Sequence, residues 1–349
     1  MDGTIAVLGA TGRTGRGIAT ALHSAGRPVI LTGRNARRLD EIARDLPGAR
    51  VVSGSFGETL ELLAHEAVDV VVNTVGPFES TAPATIDALA SAHYLDLAND
   101  PIAFGEVLRR SGAAQAAGRT LVTGAGFGVL ATESAALRVR GDRPAPSAVR
   151  VDAMAAVAGD GGALGEALAA TIVEGIGSMG RIPARDRRDW PAFGARRELV
   201  VTPEGQEILT VGFPSGEFIA AASATGAPSV FSASSEAPTS RLVPFVLPLA
   251  LVALRSARLR RSLVARLARM PFAESTITRP SWARARAEWP DGTQRTTWLR
   301  TGDGMDFTIA VATEVALRLA RDEGRPGAFT PGQLFGAELA ETAGGTFVD

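Results

Sequence analysis

The sequence predicts an α/β fold: a parallel sheet wrapped by helices in the first third of the chain, then a more antiparallel α+β region. Three observations predict it. Short apolar runs alternate with amphipathic stretches from residue 4 to residue 123, the pattern of repeated strand–helix–strand units. A glycine-rich turn lies between the first strand and the first helix. Beyond Gly124 the alternation gives way to shorter runs broken by Gly and Pro.

Taken in order, residues 4–8 (Thr-Ile-Ala-Val-Leu) are an apolar run closed by Gly9, which reads as a buried parallel strand. Residues 14–25 follow as a helix with Ile18, Ala21 and Leu22 on one face. Residues 28–32 are the second strand, and Leu39, Ile42 and Leu46 mark a helix over 36–46. Val51 and Val52 begin the third strand, residues 58–66 read as helical, and residues 69–74 are the fourth strand. A helix over 80–92, a strand over 94–97, a helix over 101–117 and a strand over 120–123 complete the alternation. Farther on, residues 150–158 alternate as a strand, 166–176 form an Ala-rich helix, and 196–221 and 274–300 hold several strand-like runs. Residues 306–321 are one more amphipathic helix, and a last helix falls near 331–342. The expected division is 1–125, 126–305 as an inserted domain, and 306–349 returning to the first domain.

Composition narrows the chemistry. The 349 residues carry 36 basic and 37 acidic groups, a net charge of −1, so bulk attraction to nucleic acid is not expected. Cysteine is absent, which excludes disulfides, a thiol nucleophile and Cys-ligated zinc. Lysine is absent too, which excludes a lysine Schiff base, a P-loop lysine and a Tyr-x-x-x-Lys catalytic pair. The three histidines, His23, His65 and His93, show no ligand spacing, so no metal site is expected. The chain opens Met1-Asp2-Gly3-Thr4 without a basic leader, and the reading is a cytoplasmic protein. Residues 242–254 are strongly apolar, but thirteen residues with two prolines fall short of a bilayer span of about 20. Arginines from Arg255 to Arg269 follow without an acid. Two readings of 242–269 stand: a buried segment leading into a solvated basic helix, or a contact with a membrane surface or lipid-like substrate.

The turn Gly9-Ala10-Thr11-Gly12-Arg13-Thr14-Gly15 carries the strongest functional information. Glycines between a strand and a helix let backbone N–H groups approach a pyrophosphate at the helix N-terminus. The second strand ends Gly33-Arg34-Asn35, where enzymes that use NAD place an acid for the ribose 2′-hydroxyl. Arg34 stands there instead, with Arg37 and Arg38 a turn later. One of that later pair is read as facing solvent. A guanidinium binds a 2′-phosphate through paired, charge-assisted bonds, so the expected cofactor is NADPH. Asn73-Thr74-Val75-Gly76-Pro77-Phe78 ends the fourth strand, and its tight Gly76-Pro77 turn is suited to the nicotinamide ribose.

Together with His93-Tyr94-Leu95-Asp96, these segments resemble the saccharopine dehydrogenase-like reductase family, whose relatives include trans-acting enoyl reductases. Gly161-Gly162-Ala163-Leu164 and the run from Phe329-Thr330-Pro331 to Phe335-Gly336 are similar to later segments of that family. The chain departs from it at Ser53-Gly54-Ser55-Phe56, where an acid is common, at Gly126-Phe127-Gly128, where Gly-Phe-Asp is common, and at Asn99-Asp100, where Gly-Glu is common. The resemblance implies an N-terminal Rossmann dinucleotide-binding domain, an inserted α+β substrate domain and a C-terminal segment packing back on the Rossmann domain. It also suggests a homodimer.

The expected cofactor residues are Gly9, Thr11, Gly12, Arg13, Thr14, Gly15, Arg34, Asn35, Arg38, Ser55, Phe56, Asn73, Val75, Gly76 and Pro77. The expected reaction is delivery of hydride from NADPH to a C=C or C=N bond of a largely apolar small molecule, and Tyr94 and Asp100 are the candidate proton donors, with water as the alternative. Two other classes stay open: an NADP(H)-binding sensor without turnover, and an isomerase or cyclase that retains the cofactor.

Overall fold

The computed structural model describes residues 3–157, 173, 194–237, 256–269 and 279–348. It divides into two compact units: Met1–Ala98 with Ala103–Gly126 and Met305–Phe335, and Asn99–Ile102 with Phe127–Gly304 and Gly336–Asp349.

The first unit is built on a seven-stranded sheet. Its strands are β1 (Ile5–Leu8), β2 (Val29–Gly33), β3 (Arg50–Ser53), β4 (Val70–Asn73), β5 (His93–Asp96), β6 (Thr120–Val122) and β13 (Gly327–Phe329). All pair in parallel, in the order β13-β6-β5-β4-β1-β2-β3. The central strands β1 and β4 are buried along their whole length, which is why they read as unbroken apolar runs rather than alternating ones. Helices α1 (Arg13–Ser24), α2 (Ala36–Asp45), α3 (Phe56–Leu63) and α4 (Phe78–Ala88) carry the crossovers, followed by α5 (Pro101–Leu108) and α6 (Ser111–Ala116). Their apolar faces and the strands form one core, including Leu8, Ile30, Leu63, Val71, Ile86, Tyr94 and Leu121.

The second unit holds another seven-stranded sheet, order β14-β12-β11-β7-β10-β9-β8. Its strands are β7 (Ala148–Met154), β8 (Glu198–Val201), β9 (Glu207–Gly212), β10 (Ser229–Ser234), β11 (Ser281–Glu288), β12 (Gln294–Thr301) and β14 (Thr346–Val348). Among the described residues only β7 and β10 pair in parallel; the other pairings are antiparallel. Helices α7 (Phe127–Arg140) and α8 (Gly216–Thr225) pack on one face through Ala135, Ala136, Val139, Ala221 and Ala224, against Val149, Val151, Ala285 and Ala287. On the opposite face, Asp152 accepts from Arg150 on its own strand and from Arg284 on the neighbouring β11, and Trp282 meets Trp298 edge to face at 6.0 Å.

Several expectations shift. The single helix over 101–117 is two, α5 and α6. The helix near 331–342 is also two, α11 (Pro331–Phe335) and α12 (Glu338–Thr342), separated at Gly336 with φ of +79°. The 306–349 segment does not return to the first unit as a whole. Helix α10 (Gly304–Leu319) and β13 belong largely there, with Ile309 against Gly17 of α1. Gly336–Asp349 belong to the second unit because β14 pairs with β12. Part of the 196–221 strand region is α8, closed by Gly226 in the left-handed region. The helix expected over 166–176 (except for Val173, which is helical and buried), the Gly161–Leu164 segment and the apolar run 242–254 lie outside the described residues. The basic stretch after that run is helix α9 (Ala257–Ala268), which exposes Leu259 and Leu263. No helix among the described residues is long and apolar enough to cross a membrane.

Candidate functional site

The strands of the first sheet run the same way, so their carboxyl ends share one edge. The strand order reverses at β1, with β2 and β3 on one side and β4, β5, β6 and β13 on the other. Such a reversal opens a crevice beyond the carboxyl ends, where ligands of this architecture bind. The turns after β1, β2, β3 and β4 lie at that edge, and the expected cofactor residues fall in these turns or in the strand end and first helical turns that flank them.

The first turn is shaped by its glycines. Gly9 has φ of +83°, which a side chain would strain, and a Cβ there would meet Thr74 Oγ1 at 2.8 Å. A Cβ at Gly15 would run into the Gly9 carbonyl oxygen. Gly12 N donates to Gly9 O at 2.9 Å and closes the turn. Gly12 is also the N-cap of α1, so it offers no side-chain acceptor to the first helical N–H groups. These groups lack intrahelical partners by geometry and carry the positive end of the helix dipole. The first turn of α1 holds no acid that would oppose an anion. Gly12, Arg13 and the hydroxyl-bearing Thr11 and Thr14 surround this end, with Thr14 Oγ1 3.1 Å from Met305 Sδ.

Gly33, at the end of β2, adjoins this turn: a Cβ there would lie 3.3 Å from the Thr11 methyl. Arg34, Arg37 and Arg38 follow with exposed side chains. Asn35 Oδ1 accepts from Arg38 N and caps α2. Ser55 likewise caps α3, in a reciprocal pair in which Ser55 N donates to Glu58 Oε2 at 2.8 Å. Phe56 packs partly against the core. The structure therefore accounts for Asn35, Ser55 and Phe56 as helix starts, and leaves the arginines at the crevice edge.

The turn after β4 is organised by a buried polar network. Asn73 is wholly buried; its Oδ1 accepts from Val75 N at 3.0 Å, and its Nδ2 donates to Thr81 Oγ1 at 3.1 Å and to the Tyr94 hydroxyl at 3.2 Å. Thr81 Oγ1 in turn donates to Val75 O at 2.6 Å. Gly76-Pro77 is a cis peptide. Asn73 thus shapes the turn that holds Val75, Gly76 and Pro77 rather than facing a ligand. Sequence reasoning passed over Thr74 and Thr81 because a threonine after a strand carries no chemical signature. Thr74 Oγ1 donates to Leu8 O at 2.7 Å, and its place beside Gly9 shows only in the fold.

The two expected proton donors both have structural partners. Tyr94 is 0% exposed, and its hydroxyl donates to Asp96 Oδ2 at 2.9 Å. Burial, and then the charge of Asp96, pushes its phenol well above the usual tyrosine range. A group closed off from ligand and holding its proton more tightly is a poor acid. Asp96 accepts from Ala98 N, Thr123 Oγ1 and Gly124 N through Oδ1, tying the ends of β5 and β6 together. Burial pushes its carboxyl up, and these donors pull it part of the way back. Asp100 falls in the second unit and accepts from Ile102 N at 3.0 Å, as a cap for α5. No group of three or more metal-binding side chains occurs among the described residues.

Comparisons with known proteins agree with this geometry. Residues 5–122 match the family described as "Saccharopine dehydrogenase NADP binding domain". The fold resembles that of the apo saccharopine dehydrogenase (L-Glu forming) of Saccharomyces cerevisiae, with a TM-score of 0.60 and 10% identity over 99% of this chain and 100% of that one. Shorter stretches are similar to "Dehydrogenase/reductase SDR family member 7B" of Bos taurus and of Rattus norvegicus. The identities are 28% over 95 residues and 32% over 96 residues, covering 22% and 28% of this chain. The chain spans less than a third of the length of these curated relatives, 29% and 27%. The cofactor is thus a nicotinamide dinucleotide, NADP. The residues fit it: an uncapped helix N-terminus and a side-chain-free turn suit the pyrophosphate, and Arg34 suits a 2′-phosphate.

Proposed function

We propose that this chain, whose residues 5–122 match the saccharopine dehydrogenase NADP-binding domain family, is an NADPH-dependent reductase acting on a C=C or C=N bond. The substrate class is a largely apolar small molecule or biosynthetic intermediate, with an enoyl or enone group foremost. The observation that carries the cofactor choice is Arg34, exposed at the carboxyl end of β2 beside the glycine turn, where an acid would have selected NAD. Bound NADPH supplies the hydride. The chain supplies position: Gly9, Gly12 and Gly15 admit the pyrophosphate, Arg34 holds the 2′-phosphate, and the Asn73–Thr81 pair sets the turn through Pro77.

The test is calorimetric titration with NADPH and NADH, followed by a screen of enones, enoyl thioesters and imines for loss of reduced-nicotinamide absorbance. Tight NADPH binding, weak NADH binding and consumption with one of these classes support the reading. Binding without consumption in any class turns it toward a sensor or a cofactor-retaining isomerase. No binding of either nucleotide overturns it.

A further inference from the structure

Helix α9 lies within the second unit and carries charge of one sign. Arg258, Arg260, Arg261, Arg266 and Arg269 fall between residues 256 and 269, and no acid does. All of these arginines are exposed. The whole chain has a net charge of −1, so the positive charge is concentrated locally.

The same helix shows leucine to solvent. Leu259 is 52% exposed and Leu263, one turn on, is 36% exposed, while Val264, Leu267 and Ala268 are half-buried. At 3.6 residues per turn, Leu259, Leu263 and Leu267 fall within about 80° of the helix circumference. The same spacing sets Arg258, Arg266 and Arg269 along one side of this strip and Arg260 along the other.

A single exposed leucine needs no explanation. Two on adjacent turns, bordered on both sides by guanidiniums and accompanied by no acid, have the arrangement of a helix that lies in the headgroup layer of a bilayer. There the leucines enter the acyl boundary, and the arginines reach lipid phosphates through charge-assisted bonds. The arginine stems can lie along the apolar surface while their heads stay at the phosphate level. A nucleic acid or an acidic protein surface would satisfy the arginines but give the leucines little apolar area to meet. A helix of 12 residues is too short to span a bilayer, so the contact is one of lying on the surface.

We propose that α9 is a docking surface for an anionic lipid bilayer, with Leu259 and Leu263 inserted and the bordering arginines on lipid phosphates. The proposal does not rest on the reductase reading above.

The test is flotation of the full chain with vesicles of phosphatidylcholine alone and with vesicles that also hold about 30% phosphatidylserine. The expected result is binding to the anionic vesicles, about tenfold or more tighter than to phosphatidylcholine alone. Most of that binding should be lost as salt rises from about 0.1 M to about 0.5 M. Leu259→Gln with Leu263→Gln, and separately Arg258→Gln with Arg266→Gln, should each weaken it by about tenfold or more. Hydrogen exchange on the parent gives a measure that needs no variant: residues 257–268 should gain protection on the anionic vesicles, and β1 and β4 should not change. A parent chain that stays unbound to the anionic vesicles overturns the proposal. So does either double variant that floats within about threefold of the parent, or an absence of added protection at 257–268. Binding of the parent to duplex DNA but not to anionic vesicles would assign the helix to nucleic acid and overturn it as well.

Discussion

The Tyr94 hydroxyl donates to Asp96 Oδ2 at 2.9 Å, two residues along the same strand and wholly inside the core. The pair faces Asn73 on β4 and Thr123 after β6, so one bonded chain links the ends of three adjacent strands. Its role is to hold the crevice edge in shape. Tyr94→Phe should therefore lower unfolding free energy by roughly 1–3 kcal/mol, the cost of leaving buried polar partners unsatisfied. Hydride transfer should stay within about threefold of the parent, as measured by urea unfolding and single-turnover kinetics. A loss of rate of 100-fold without a matching loss of stability would return Tyr94 to the role of acid.

The glycines of the first turn should separate into two kinds. A methyl group at Gly15 collides with the backbone of Gly9, and the helix and turn cannot both keep their places. A methyl group at Gly12 meets Gly9 O at 3.4 Å, which the fold can accept. Gly15→Ala should destabilise the chain by about 2 kcal/mol or more. Gly12→Ala should leave the melting temperature near that of the parent yet weaken NADPH binding at least tenfold, because it blocks close approach of the pyrophosphate. Thermal melts and calorimetry on the two variants decide the matter, and equal effects at both positions would show that the turn is structural only.

Arg34→Ala should weaken NADPH binding by roughly 1.5–3 kcal/mol, the range for a hydrogen bond to a charged group. NADH binding should hardly change. Equal losses for both nucleotides would remove the 2′-phosphate assignment.

In the second unit, Asp152 is fully buried and bonded by Arg150 Nη2 at 2.9 Å, Arg284 Nη2 at 2.7 Å and Thr210 Oγ1 at 2.8 Å. Glu198 receives Arg284 at 2.8 Å as well. Removing the shared carboxylate leaves two buried cations with Glu198 as their one remaining carboxylate partner among the described residues, so Asp152→Ala should cost about 3 kcal/mol in unfolding free energy. The NADPH Kd, set in the other unit, should stay within about threefold. Denaturant unfolding with a parallel titration checks both halves of this expectation.

The sequence by itself determined the elements whose side chains announce their surroundings. Buried parallel strands such as 5–8 and 70–73 read as continuous apolar runs, and the glycine turn and Arg34 named the cofactor because close approach to phosphate demands those residue types at those places. Helix α7 escaped notice for the opposite reason: it is buried on nearly every side, so no apolar stripe marks its period. The three-residue strands β13 and β14 are too short to show a pattern, and only their pairing partners make them strands. What the tertiary structure alone decided is the use of each polar side chain. Tyr94 reads as a proton donor at a crevice until burial and its bond to Asp96 make the pair a brace. Glu217 meets Asn99, 118 positions away, only through folding. Burial and long-range pairing set the reactivity of a titratable group, and neither is written in local spacing.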